Sequence, residues 1–252
     1  MLCPKHLLRT AVVAVAALLV SGTGLAETTD FGLWLTIGGE KKLDGRWTLS
    51  AEGAFRTRDN SQTVDRWDVS FSGEYKPVGW LKIMGGYQLR YTHNREKLSL
   101  DSEGNTTALR PTYWDVRHMF NLNLIGSVDF GRVTLSVRER WQYVYRPEKT
   151  TVRYTYADEC WEDVAVSGHG TNVLCSRFRV TYKPAAGSVT PYADIELFNK
   201  WELQKMRYTV GAEWKLSTSN SLSAFYRYID NNTDGSEADR THILGIGYKF
   251  RF

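Results

Sequence analysis

Strict alternation of apolar and polar side chains, repeated segment after segment, is the feature that most constrains this chain. From Trp47 the odd positions read Trp47, Leu49, Ala51, Gly53 and Phe55, with Thr48, Ser50, Glu52, Ala54 and Arg56 between them. A period of two puts successive side chains on opposite faces, so each such run predicts a strand with one apolar face. The pattern returns over 67–75, 81–91, 114–124, 133–145, 174–182, 189–197, 206–216, 222–228 and 244–252. With an opening run at Phe31, Leu33, Leu35 and Ile37, about eleven segments result.

The connections alternate as well. Short turns fall at Asp44-Gly45, 77–79, 129–131, 184–188 and 217–220, and longer polar loops at 59–63, 92–112, 146–170, 199–204 and 230–239. Turns on one side and long loops on the other describe an outer-membrane barrel, with the loops outside the cell. A soluble sandwich also alternates, so the charges and rings must decide. Nearly every charged strand residue falls on the polar face, with Glu139 the clear exception. A Lys or Arg facing lipid at mid-depth costs about 2–4 kcal/mol and an acid somewhat less, which is what enforces such segregation. Aromatics gather near the short turns (Trp47, Tyr75, Trp80, Tyr182, Trp214, Phe250) and near the long loops (Phe55, Trp67, Tyr91, Trp114, Trp141, Tyr143, Tyr226, Tyr228). Two such rings are the girdles of a membrane wall. The expected fold is therefore all-β, a transmembrane antiparallel β-barrel of ten to twelve strands.

The N-terminus carries Lys5, His6 and Arg9, an apolar run over 11–20, and small residues ending at Ala26. That order reads as a cleaved signal peptide over 1–26, with the barrel occupying 27–252 and the mature chain starting near Glu27. Losing Lys5 and Arg9 leaves 30 basic against 28 acidic side chains, a formal charge of +2. No tail or helix concentrates basic charge, so nucleic acid is not an expected partner; the bilayer is. Cys160 and Cys175 lie in a chain bound for an oxidising compartment and are the candidate disulfide, stapling the longest exterior loop, with two free thiols as the alternative.

One inconsistency is built into the count. Bacterial barrels normally have an even strand number and both termini in the periplasm. An antiparallel walk back from Phe252 instead makes the 31–43 segment run inward from an exterior start. Either that segment is not an ordinary wall strand or the count is off by one. The stretch 151–156 also alternates weakly and is expected to extend a hairpin beyond the membrane.

The terminal Phe252, with Tyr248 and Phe250 on the same face, resembles the C-terminal signal read by the outer-membrane assembly machinery, an expected partner. The chain also resembles the bacterial outer-membrane family catalogued as domain of unknown function 2490. The similarity is carried by Asp30-Phe31-Gly32-Leu33-Trp34, by Glu40-Lys41-Lys42-Leu43, and by Phe55-Arg56-Thr57-Arg58-Asp59-Asn60. It extends to Val64-Asp65-Arg66-Trp67 and to Arg138-Glu139-Arg140-Trp141-Gln142-Tyr143. It implies a location and a fold, and it transfers no catalytic residue because the family has no assigned activity.

Chemistry is hard to find. His118 and His242 fall on the apolar face, as stacked or interfacial imidazoles, and His93 and His169 fall in loops. Ser167-Gly168-His169 places a hydroxyl beside an imidazole, but adjacency along a chain is not triad geometry. Cys160 and Cys175 lack the paired spacing of zinc ligands. No catalytic residue, metal or cofactor is expected. The lumen-facing positions say more: about eighteen Lys or Arg, among them Arg56, Arg66, Arg90, Arg117, Arg138, Arg140, Arg177, Arg179 and Arg207, stand against about seven acids, including Glu52, Asp68, Asp115 and Glu196. Those charges either pair across strands in a plugged lumen or attract anions into a narrow pore. Around eight strands leave an interior filled by side chains and wide channels need about sixteen, so a general porin is excluded. The expected role is structural or surface-interacting and non-enzymatic. A narrow anion-preferring channel comes second, and a hydrolase at the outer rim third.

Overall fold

The computed structural model describes residues 29–185, 187–231 and 240–252. The expected signal peptide and the start near Glu27 lie outside the described residues. Among the described residues fifteen strands are formed: β1 (Thr29–Lys42), β2 (Trp47–Arg58), β3 (Thr63–Val78), β4 (Leu81–Asn94), β5 (Lys97–Leu100), β6 (Thr106–Arg110), β7 (Tyr113–Phe130), β8 (Val133–Arg146), β9 (Lys149–Thr155), β10 (Cys160–Val166), β11 (His169–Tyr182), β12 (Val189–Asn199), β13 (Leu203–Lys215), β14 (Asn220–Asn231) and β15 (Arg240–Arg251). Eleven of them close a barrel in the order β1-β15-β14-β13-β12-β11-β8-β7-β4-β3-β2. This is a transmembrane barrel wall: Phe71, Leu124, Phe178 and Val210 are half-exposed on its outside, where only lipid can cover them.

The odd strand count resolves the inconsistency noted above. Direction alternates at every antiparallel step, so a closed ring of eleven must contain one parallel pair. That pair is β1 with β15, in unbroken register from Thr29↔Arg240 to Glu40↔Arg251. The opening segment is thus an ordinary wall strand that starts on the exterior side, and the barrel is not antiparallel throughout. Its exterior end is pinned by a tight turn in which Asp59, Asn60 and Ser61 have positive φ of 54, 55 and 66°. Asn60 donates its backbone N–H to Asp30 Oδ1 (2.9 Å), and Ser61 donates to Phe31 O (3.0 Å). On the periplasmic side Asp44 closes the β1–β2 turn. Backbone N–H donation from Arg46 (2.7 Å) and Trp47 (2.6 Å) holds its carboxyl below the usual range.

Glu139 does face lipid, with no break in register: it sits opposite Leu124 on β7 and Ser176 on β11. The Ser176 hydroxyl donates to Glu139 Oε2 at 2.7 Å, supplying the partner that a carboxylate in hydrocarbon requires. His118 and His242 also lie on the outside of the wall, each bonded through Nδ1 to a tyrosine hydroxyl, Tyr87 (2.8 Å) and Tyr226 (2.6 Å) respectively.

The two longest exterior connections are not plain loops. They form β5–β6 and β9–β10, which join through Ala108↔Thr155 and Leu109↔Tyr154 into one sheet of order β10-β9-β6-β5. The weakly alternating 151–156 stretch falls in and just beyond β9, beyond the barrel, as expected. Leu98, Leu109, Tyr154 and Trp161 are cross-strand partners in one row, so this sheet has an apolar face. Lys97 and Arg110 project from the opposite face into the mouth of the barrel. On that polar face Glu162 accepts from Thr155 Oγ1 (2.8 Å) and Arg153 (2.6 Å), which lowers its pKa.

Candidate functional site

The lumen is organised by carboxylates shared among arginines. Alternation turns the even residues of β2, β3 and β4 inward, and the ladder sets Arg56 opposite Arg66 and Asp68 opposite Arg90, so the four arrive on the inside as neighbours. Asp68, 4% exposed, lies 2.7 Å from Arg90 Nε and 3.6 Å from both Arg56 and Arg66. A second centre is Glu196, 2.5 Å from Arg138 and 3.8 Å from Arg207. Arg177 stands directly opposite both Arg138 and Glu196 in the ladder. Arg179 binds Asp194 at 2.5 Å, and Arg117 binds Asp115, 2% exposed, at 3.2 Å. Among the described residues Arg140 has only a neutral acceptor, Asn123 Oδ1, at 2.7 Å. Glu52 faces the lumen on β2 beside Gly38 and Ser70 and is exposed to its interior.

An aromatic hub that the alternation pattern hides lies at the same level. Trp34 is on the polar face of β1, out of phase with its strand, and 8% exposed. The guanidinium of Arg56 stacks on its ring at 3.7 Å, with Arg227 at 4.8 Å. Phe225 meets Trp34 edge-on at 6.3 Å. Gly245 makes this possible, since a Cβ there would lie 2.0 Å from the Phe225 ring. Phe198, also out of phase, carries Arg207 at 4.3 Å. Out-of-phase aromatics in otherwise alternating strands were the available signal for all three.

Above this hub two cavities open toward the exterior loops, of about 350 and 520 Å³. Arg66, Arg117, Arg146, Lys205 and Arg207 line both. The larger cavity runs from Arg56, Arg90 and Arg140 at mid-lumen to His169 and Lys200 at the rim, and among the described residues no Asp or Glu lines it. Among the described residues no histidine is hydrogen-bonded to a serine or a carboxylate. His93 bonds Val64 O at 3.1 Å and stacks on Trp114 at 4.7 Å.

The sequence profile described as "Protein of unknown function (DUF2490)" matches residues 31–240. The chain belongs to the DUF2490 family. No curated protein matches this DUF2490 barrel. Among solved structures it is similar to the β domain of the Bordetella autotransporter BrkA, at 13% identity over 84% of this chain and 86% of that one, with a TM-score of 0.58. A NanC porin structure aligns at 13% identity over 90% of this chain and 100% of that one, with a TM-score of 0.47. The autotransporter likeness shows the outer-membrane barrel fold.

The expected cysteine staple is not formed. Cys160 is exposed at the start of β10, in the exterior sheet, whereas Cys175 is fully buried on the lumen side of β11 beside Arg140. The reason is the β9–β10 hairpin: it carries Cys160 away from the barrel, while β11 brings Cys175 down into the wall. In native protein a maleimide should therefore label one cysteine quickly, at position 160, and the second only after unfolding. Simultaneous loss of both thiols without reduction would contradict this placement. Tyr248 and Phe250 lie close to the end of β15 and Phe252 follows it directly, with Phe250 and Phe252 packed edge-on at 4.6 Å.

Proposed function

We propose that the DUF2490 barrel is a narrow outer-membrane conduit that admits small anions from the exterior. One observation carries the reading: Arg and Lys dominate the wall of the 520 Å³ cavity at the exterior mouth, with no carboxylate among the described residues that line it. A cleft of one charge sign inside low-dielectric walls focuses the field and raises the local concentration of counter-ions. Eleven strands enclose too little space for a general porin, and Trp34 with Phe225 fills part of the mid-lumen, so the conduit is selective by size as well as charge. Purified barrel in a planar bilayer is expected to give small current steps whose reversal potential in a KCl gradient favours chloride. Silence, or a preference for potassium, would overturn the reading.

A second reading, attachment to a surface partner, rests on the exterior sheet, where Leu98 and Trp161 stay at least half exposed on a face that packs against nothing described. Contiguous exposed apolar surface marks interaction sites. A bilayer-silent barrel would move the function to this sheet.

A further inference from the structure

We infer that the wall shared by the two exterior cavities is a binding site for a hydroxylated solute carrying at least two negative charges, as phosphate or as paired carboxylates. The inference rests on the anion-accepting reading of the mouth and adds a ligand class to it. Three observations carry it: a charge imbalance, orphaned donors and pre-set geometry.

The imbalance comes first. Asp68 is one carboxylate among three guanidiniums, of which only Arg66 reaches a second described carboxylate, Asp65, and Glu196 is shared by Arg138 and Arg207. Among the described residues Arg146 has only a carbonyl partner, Ser167 O at 3.0 Å, and Arg140 only an amide. Positive charge left over in a partly desolvated interior calls for a counter-anion, because an unpaired buried ion is far costlier than a paired one. A single chloride per site cannot balance several fixed guanidiniums; a multivalent anion does so while occupying one place.

The donors point the same way. Arg56, Arg66, Arg146 and Arg207 each have a buried Nε–H with no hydrogen-bond acceptor among the described residues. Arg56 comes within ion-pair distance of Asp68, at 3.6 Å, and Arg66 of both Asp68 (3.6 Å) and Asp65 (3.5 Å), without hydrogen-bond geometry. Arg66, Arg146 and Arg207 line both cavities, so their free donors converge on the shared wall. A buried donor without an acceptor is a costly state that a bound oxyanion relieves.

Geometry supplies the specificity. A guanidinium presents a planar fork that matches phosphate and carboxylate oxygens and does not match a spherical halide. Arg56 is fixed on the Trp34 ring and Arg207 on the Phe198 ring, so both forks are positioned before any ligand arrives. Between the cationic side chains the larger cavity presents Gln88, Gln142, Thr171 and His169, which hydrogen-bond hydroxyls, beside the apolar Met119, Val144 and Val173, which can pack against a carbon skeleton. Its volume lies within the ordinary range for small-molecule sites, about 300–1,000 Å³.

The test uses the folded full barrel in detergent, titrated with pyrophosphate in a calorimeter at constant ionic strength set by NaCl. The expected result is saturable one-site binding at least about tenfold tighter than for sulfate. Arg207→Gln and Arg66→Gln should each weaken it about tenfold or more, the loss expected for a charge-assisted bond. Arg207→Lys keeps the charge but loses the fork and should weaken binding almost as much. Lys183→Gln, in an exposed periplasmic turn, should leave binding unchanged. The heat-dependent gel shift of a folded barrel confirms that each variant folds. A second arm adds lipopolysaccharide vesicles: competition with pyrophosphate would assign the ligand to a lipid phosphate, and its absence to a free solute. Pyrophosphate binding no tighter than sulfate, or unaffected by Arg207→Gln, overturns the site even if the barrel conducts chloride. Saturable binding in a barrel silent in bilayers sustains the site and overturns the conduit.

Discussion

Asp68→Asn should cost the barrel about 3–5 kcal/mol in urea unfolding from lipid vesicles, the largest stability loss expected from neutralising any one lumen charge. The asparagine fits the space, so packing is not the cause. The carboxylate is almost wholly buried and is approached by Arg56, Arg66 and Arg90. Removing it leaves three like charges facing one another, with only Asp65 among the described residues, 3.5 Å from Arg66, to offset them. The prediction has a built-in check: combining Asp68→Asn with Arg90→Gln removes the charge that approaches closest, at 2.7 Å, and should restore part of the loss. A double variant as unstable as the sum of the two singles would show that mutual repulsion is not the mechanism.

Trp34→Ala is expected to have two effects at once. The ring is 8% exposed and packs with Ile229, Ile243 and Phe225, so its removal should cost about 3–5 kcal/mol, as for other buried tryptophans. It also holds the Arg56 and Arg227 guanidiniums in stacked positions at mid-lumen. Without it those side chains lose their anchor and the lumen widens, so the unitary current in a planar bilayer should rise and its anion preference fall. Lower stability with an unaltered current would mean that the narrowest point lies elsewhere in the barrel.

Much of this architecture is legible in the chain because a strand has only two faces. Alternation alone assigns Arg138, Arg140, Arg177 and Arg179 to the inside and Phe178 and Val180 to the outside, and the eleven runs correspond to the eleven wall strands. Even the odd parity was visible, as an apparent contradiction over the segment that starts at Phe31. Alternation does not encode which inward residues share a level, because that depends on the stagger between strands. The sharing of Asp68 and Glu196, and the arrival of Trp34 beside Arg56, therefore emerge only in three dimensions. The same limit explains the cysteines. Cys160 and Cys175 are close in sequence, but the pairing of β6 with β9 over just two residue pairs, Ala108↔Thr155 and Leu109↔Tyr154, raises one of them onto a separate sheet. So sparse a long-range contact leaves no periodic trace.

The parallel seam between β1 and β15 has a practical consequence for anyone re-engineering the chain. In a barrel with an even strand count the two ends of the wall emerge side by side on one surface, and a short linker can join them while new ends are cut elsewhere. Here Thr29 pairs with Arg240 at the exterior rim, whereas Phe252 lies at the opposite rim. Any joint would have to traverse a hydrocarbon layer roughly 30 Å thick. Circular permutation is closed to this fold, but a reporter fused just before Thr29 and another fused after Phe252 would sit in different compartments, so a single molecule could report on both sides of its membrane.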